Sequence, residues 1–136
     1  MHKRTQIRNA IFNVLDGNTS VGTKVFVNRP NPYNETDLPA IFIYSAEESS
    51  IDANLSQKTY KRTLNLAIEA RVSSSTSVDN SLDDIADEIE NLIKSDLTLA
   101  GLCNNISMTG SEFDQAAEGR RVIGALRLNF EIKYIY

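Results

Sequence analysis

The chain has 136 residues, 41% of them hydrophobic and 24% charged, which is typical of one soluble domain that folds without disulfides or metal. Its net charge of −4 disfavours nucleic-acid and anionic membrane surfaces as binding partners, because those partners are bound by clustered Lys and Arg. No apolar run approaches the ~18 residues of a membrane span, and the single cysteine, Cys103, excludes an internal disulfide. We therefore expect synthesis in a reducing cytoplasm.

The first half of the chain predicts one helix and three strands. Apolar residues recur at helical spacing over residues 5–15, and Gly17 is suited to end that helix. Residues 24–28 and 40–45 are typical of short strands, and the proline-containing segment between them, residues 29–39, indicates a loop.

The third strand is predicted from the alternation of apolar and polar residues. Over residues 59–72, apolar side chains point one way and polar side chains, including Glu69, point the other way. Arg62 is the charged exception on the apolar side. The polar stretch 47–58 precedes this strand, and it predicts either the tip of an extended hairpin or a long loop.

The second half predicts one helix and two strands. Ser81 and Asp84 resemble an N-terminal capping box for a helix that runs to about residue 95. Residues 106–113 and 122–136 are typical of strands, joined by a charged loop at 114–121. The order is α-β-β-β-α-β-β, which predicts a single α+β domain over residues 1–136: a two-layer sandwich with two helices on one face of a mostly antiparallel sheet.

The residue inventory disfavours an enzyme, and we predict no catalytic, cofactor-binding or metal-binding residues. His2 is the only histidine and lies at the terminus, so Cys103 has no second histidine to activate it and a Cys/His zinc site is excluded. Asp83, Asp87 and Glu90 share one face of the second helix. They indicate either a solvated helix face or a divalent-cation or acidic contact site.

Four segments together point to a known family. Three of them are the opening helix HKRTQIRNAIFNVLD, the long strand TYKRTLNLAIEARV and the last strand ALRLNFEIKYIY. The fourth is the most specific and contains Arg29-Pro30, Glu35-Thr36-Asp37, Leu38-Pro39-Ala40 and an aliphatic strand ending in Tyr44. In these segments the chain resembles the tail terminator proteins of long-tailed bacteriophages, the minor tail protein U family. It departs from them at Asn31-Pro32 and in the Ser-rich loop before the second helix.

The resemblance implies a structural protein of the virion tail, made and assembled in the host cytoplasm. Tail terminators form a homohexameric ring that caps the tail tube, stops polymerisation of the major tail tube protein and joins the head-tail connector protein. DNA passes through the ring without specific binding. Six copies at −4 each carry −24 in total, so we expect DNA to slide through and divalent cations to promote assembly.

We expect the polar loops to make the contacts between copies and with other tail proteins, since no substrate chemistry explains their length. Arg29 is expected to pair with an acidic residue of a neighbouring copy. The predicted contact residues are Arg29, Pro30, Tyr33, Glu35, Asp37, Glu47, Glu48, Asp52, Arg120 and Arg121.

Two other functions are compatible with the sequence. One is a related tail-completion or head-tail joining protein, which would differ in its partner and not in its chemistry. The other is a small ligand-binding α+β regulatory domain, which would need a concave pocket with convergent polar groups.

Overall fold

A computed structural model describes residues 1–30, 38–54, 56–74, 77–118 and 121–136. Its elements follow the predicted α-β-β-β-α-β-β order and form the predicted α+β fold. In chain order they are α1 (Lys3–Leu15), β1 (Val25–Phe26), β2 (Ala40–Asn54), β3 (Thr59–Ser74), α2 (Asp79–Lys94), β4 (Asn105–Glu118) and β5 (Arg121–Ile135).

The five strands form one sheet in the order β1-β2-β3-β5-β4. Every neighbouring pair is antiparallel except β1 and β2, which run parallel over two residue pairs. The long strand β3 is therefore central, whereas β4 forms one edge and β1 covers only a short part of the other edge. Strands β1, β2 and β5 run in one direction, and β3 and β4 run in the opposite direction.

One face of the sheet carries both helices and the apolar core. Helix α1 packs mainly on β1 and β2, and α2 packs on β3 and β5. The alternating residues predicted for β3 and β5 point into this core. Fully buried core side chains include Ile7, Ile11, Leu15, Ile41, Ile43, Leu64, Leu66, Ile68, Leu82, Ile89 and Leu126. Burial of each such side chain contributes roughly 1.5–3 kcal/mol before the entropy of ordering is counted.

Both hairpins are longer than predicted. Residues 47–54 continue β2, so the first hairpin turns only after residue 54, and its described turn residues are 56–58. The predicted loop at 114–121 is wrong because residues 114–118 continue β4. These stretches are polar, but each is paired along its length with the strand beside it, and pairing outweighs their low strand propensity. By the register of β3 with β5, the two hairpin turns lie at opposite ends of the sheet.

The predicted helix cap at Ser81 is also wrong. Helix α2 begins at Asp79, after Val78, which makes no side-chain capping hydrogen bond. Its first turn rests on Gly124 of β5, where an added Cβ would lie 2.6 Å from Val78 Cγ2 and 3.0 Å from Leu82 Cδ1. Packing on the sheet at a glycine therefore sets where this helix starts.

Candidate assembly interface

Arg29 lies next to β2 of its own chain. Its Nη2 donates a 3.0 Å hydrogen bond to the carbonyl oxygen of Ser45, and its guanidinium carbon lies 4.7 Å from the centre of the Tyr44 ring. The residue remains exposed, and Pro30 after it is half-buried. Arg29 thus holds a fixed place beside the sheet edge while its charge still meets solvent.

Four of the predicted contact residues lie outside the described part of the chain. They are Tyr33, Glu35, Asp37 and Arg120.

Two predicted contact residues, Glu47 and Asp52, are exposed on β2. Glu47 pairs with Asn65 and Asp52 pairs with Tyr60, so the register puts Glu47 on the helix-free face and Asp52 on the helix-bearing face. Neither carboxylate forms an ion pair with a described residue. Both are therefore available to a partner.

Glu48 is instead the centre of a cluster within the chain. Its carboxylate accepts hydrogen bonds from Arg4 of α1 and Tyr134 of β5, and it lies 3.4 Å from Arg62 of β3. Only 13% of its side chain is exposed. This contact explains Arg62, the charged residue on the apolar side of β3, and it fixes the first hairpin to the start of α1.

The Glu48 cluster shifts the protonation of its members. Burial by itself would raise the pKa of Glu48, but the hydrogen bonds from Tyr134 and Arg4 outweigh it and lower that pKa. Burial, followed by the hydrogen bond to Glu48, raises the pKa of Tyr134 to about 12. The cluster is therefore held as a carboxylate and a neutral phenol at neutral pH.

Arg121 also makes its contacts within the chain. At the start of β5 it donates to Ser73 of β3, with Nε 2.9 Å from the Ser73 hydroxyl and Nη2 3.2 Å from the Ser73 carbonyl oxygen. The side chain is exposed, so these bonds orient it without burying it. Arg121 thus ties the second hairpin to the central strand.

A second polar cluster lies on the helix-free face, and the sequence did not predict it. Glu69 is only 2% exposed. It accepts hydrogen bonds from the Tyr44 hydroxyl at 2.8 Å, Arg71 Nε at 2.7 Å and Arg127 Nε at 3.3 Å. Arg127 also donates to Tyr44 at 2.8 Å and to Glu112 at 3.0 Å. The cluster therefore links β2, β3, β5 and β4 across the sheet.

The only sequence signals for this cluster were indirect. Ala67 interrupts the polar face of β3, and Tyr44 ends a strand that is apolar almost throughout. Both indicate that the helix-free face is partly dry at its centre. A cleft of 180 Å³ opens beside Glu69, Arg71 and Arg127, and this volume is below the range usual for small-molecule sites.

A model of the phage minor tail protein U family matches residues 2–134, nearly the whole chain. This chain belongs to the phage minor tail protein U family. It is therefore a structural component of a phage tail and assembles with other virion proteins.

Two further comparisons add little to the family match. In structure, the chain is similar to a protein of the virion of a native gene transfer agent particle, with 9% sequence identity, a TM-score of 0.45, and coverage of 93% of this chain and 94% of that chain. No curated protein matches the sequence.

The predicted acidic face of α2 lies at the protein surface. Asp83 and Asp87 are exposed, and Glu90 is half-buried. Among the residues that the structure describes, no group of three or more His, Cys, Asp or Glu side chains is placed to hold a metal ion. Neither of the two described helices has the length and hydropathy needed to cross a bilayer.

Proposed function

We propose that this member of the minor tail protein U family forms a homohexameric ring that caps the tail tube. The ring stops polymerisation of the major tail tube protein and offers its free rim to the head-tail connector protein. The observation that carries this proposal is the family match over residues 2–134. The proposed contact residues are Arg29, Pro30, Tyr33, Glu35, Asp37, Glu47, Asp52 and Arg120, with Glu48 and Arg121 holding the two hairpins from within the chain.

The arrangement of the hairpins supports two different partners. The β2–β3 hairpin ends in an exposed stretch that includes Glu47, Asp52 and Ile51, whose side chain is 66% exposed. The β4–β5 turn lies at the opposite end of the sheet. We assign the β2–β3 end to the tail tube and the opposite end to the connector side.

The net charge supports a channel through which DNA passes without binding. Each copy carries −4, and six copies carry −24. Negative charge around a channel repels the phosphate backbone, so DNA moves through it without specific contacts.

The test is electron microscopy of the purified protein at high concentration, with and without magnesium, together with a tube-length assay. We expect six-fold rings with an open centre, and tubes of the major tube protein that stop growing when the protein is added. Tubes that lengthen unchanged in the presence of excess protein would contradict termination. Rings that bind a connector but leave tube growth unchanged would favour a head-tail joining protein, and two-fold dimers with a filled pocket would favour a ligand-binding domain.

Arg29 gives a test of the contact surface. Arg29 is exposed and makes one hydrogen bond to Ser45 and one cation–π contact with Tyr44, so Arg29→Glu should lower the free energy of unfolding by only about 1 kcal/mol. Ring formation should be lost, because the substitution places a negative charge where an acidic residue of the neighbouring copy is expected. Lys61→Glu makes the same charge change elsewhere and is the control. An intact ring in Arg29→Glu, scored by microscopy, would remove Arg29 from the interface.

A further inference from the structure

One row of paired residues crosses the whole sheet. It runs Phe26, Phe42, Glu69, Arg127 and Glu112, from β1 at one edge to β4 at the other. The short strand β1 therefore lies at the same level along the strands as the middle of β4. A second copy placed beside the first without a shift along the strands would bring these two edges together.

The strand directions make such a contact antiparallel. Strands β1 and β2 run in the same direction, and β4 runs in the opposite direction. Rotation about an axis parallel to the strands preserves these directions from copy to copy. The β4 edge of one copy would then meet the β1 edge of the next in the antiparallel arrangement, which is the commoner and slightly more stable pairing. The contact is head-to-tail, which is the kind that closes a ring.

Both edges are uncovered within the described chain. Strand β4 pairs only with β5, and residues 111–117 are exposed on both faces. Its Phe113 is 64% exposed, while Phe26 and Val27 at the opposite edge are 36% and 37% exposed. A long edge strand that exposes a large aromatic side chain is a template for pairing with another chain.

Charges at the two edges are complementary. The Ile41 amide donates a hydrogen bond to the Lys24 carbonyl oxygen at 2.9 Å, which places Lys24, one residue before Val25, beside Ala40 of β2. Through the paired residues of β3 and β5, Ala40 lies at the same level along the strands as Asp114 of β4. Lys24 and Asp114 therefore lie at the same level on opposite edges of the sheet. Lys24 and Asp114 are exposed and share the helix-free face by alternation with Phe26 and Glu112. Neither forms an ion pair with a described residue.

We propose that copies of this protein join edge to edge in the ring, with β4 of one copy paired antiparallel with β1 of the next. Asp114 of one copy faces Lys24 of its neighbour, Ser111 faces Val27, and Phe113 lies diagonally beside that same Val27. The occupant of the β4 edge is thus a second copy of this chain. This inference rests on the proposed ring and specifies its interface.

Charge reversal tests the pairing. Lys24→Glu changes the net charge of each copy from −4 to −6, and Asp114→Lys changes it from −4 to −2. Each single reversal should raise the protein concentration needed for half-maximal ring formation by about tenfold or more, because it places like charges opposite each other. The double variant, again at −4, should restore assembly to within about threefold, since the pair is re-formed with its signs exchanged.

Two variants on the surface of α2 are matched controls for net charge. Lys94→Glu also gives −6 and Asp83→Lys also gives −2, so any effect of net charge alone appears in these controls. Each should form rings at a clearly lower protein concentration than the edge variant of the same net charge. Circular dichroism of each variant checks that the fold is kept. Rings that are unaffected by either single reversal, or a double variant no better than the singles, would overturn the inference and leave the proposed ring standing.

Paired cysteines identify which edges meet. On oxidation, the variant that combines Ser111→Cys with Val27→Cys should form disulfide-linked oligomers of increasing size, up to the full ring. The native Cys103 can stay, because it is buried and burial raises the pKa of its thiol to about 11. Covalent dimers from Ser111→Cys alone would show that β4 meets β4 and would overturn the head-to-tail contact. If the unchanged protein forms no rings, alone or on tube ends, the proposed function fails together with this inference.

Discussion

Glu69 is a single carboxylate that organises side chains from three strands. It is buried at the centre of the sheet and accepts hydrogen bonds from Tyr44, Arg71 and Arg127. A buried charge with two cationic partners stabilises a fold only while its partners are present, and removing one member deprives the others of that shared contact. Glu69 therefore fixes the relative position of β2, β3 and β5 on the face that has no helices.

Glu69→Ala should lower the free energy of unfolding by about 3 kcal/mol, because Arg71 and Arg127 lose their shared acceptor. The loss is not larger, because both arginine side chains are partly exposed to water. Tyr44→Phe removes the hydrogen bond donated to Glu69 and the one accepted from Arg127, but it leaves the carboxylate with both arginines, so it should cost only about 1–2 kcal/mol. Urea denaturation of the two variants measures both values. Equal losses in the two variants would contradict a central role for the carboxylate.

Glu48 makes stability depend on acid pH. Its pKa is lower in the folded protein than in the unfolded chain, so its contribution is present above the ordinary glutamate pKa of about 4.3 and is lost as pH falls through the folded pKa. The urea midpoint should drop as pH falls below about 5, and Glu48→Gln should flatten that drop. Glu47→Gln, on the exposed neighbour, is the control and should keep the original slope. Identical slopes in all three proteins would contradict the assignment.

At the scale of single elements, α2 owes its position to a residue on another element. Gly124 of β5 leaves room for Val78 and Leu82, which a side chain would fill. Gly124→Ala should cost about 1–3 kcal/mol, because overpacking displaces the first turn of the helix. Gly110→Ala on β4 is the matched control, since an added Cβ meets no atom within 4 Å there, and it should cost far less. Thermal unfolding of both variants tests the difference, and equal melting temperatures would refute it.

The element order and the core faces could be predicted from the sequence, because apolar spacing alone specifies them. Ile7 and Ile11 in α1, and Leu126 and Leu128 in β5, repeat at helix and strand periods and are buried. The element ends could not be predicted in this way. Residues 47–54 and 114–118 are strand only because a partner strand lies beside them, and pairing over that distance has no local signal.

The contact residues were less predictable than the fold. Glu48 looks like a surface acid of a polar stretch, but its partners Arg4 and Tyr134 are 44 and 86 residues away in the chain. Such separations leave no pattern that a single sequence displays. Glu69 was correctly assigned to the polar face of β3, but its burial there could not be predicted, because its partners Tyr44 and Arg127 are 25 and 58 residues away.

For the whole molecule, net charge opposes assembly. In the proposed ring, six copies at −4 would bring −24 together in one particle, and salt screens the resulting repulsion. We expect more rings with magnesium or at 0.15 M ionic strength, where the screening length is about 8 Å, than in dilute buffer with a chelator. Sedimentation velocity at fixed protein concentration measures the ring fraction, and an equal fraction in all three buffers would count against this balance of forces.

The opposite placement of the two hairpin turns gives the proposed ring two unlike rims. If copies are related by rotation about the strand direction, every β2–β3 turn lies on one rim and every β4–β5 turn lies on the other. A tube that ends in such a ring no longer displays the surface that recruited the ring. A second ring cannot stack on the first by the same contacts. The proposed assembly is therefore polar, and tube growth would stop because the polymer end has been exchanged for a chemically different one.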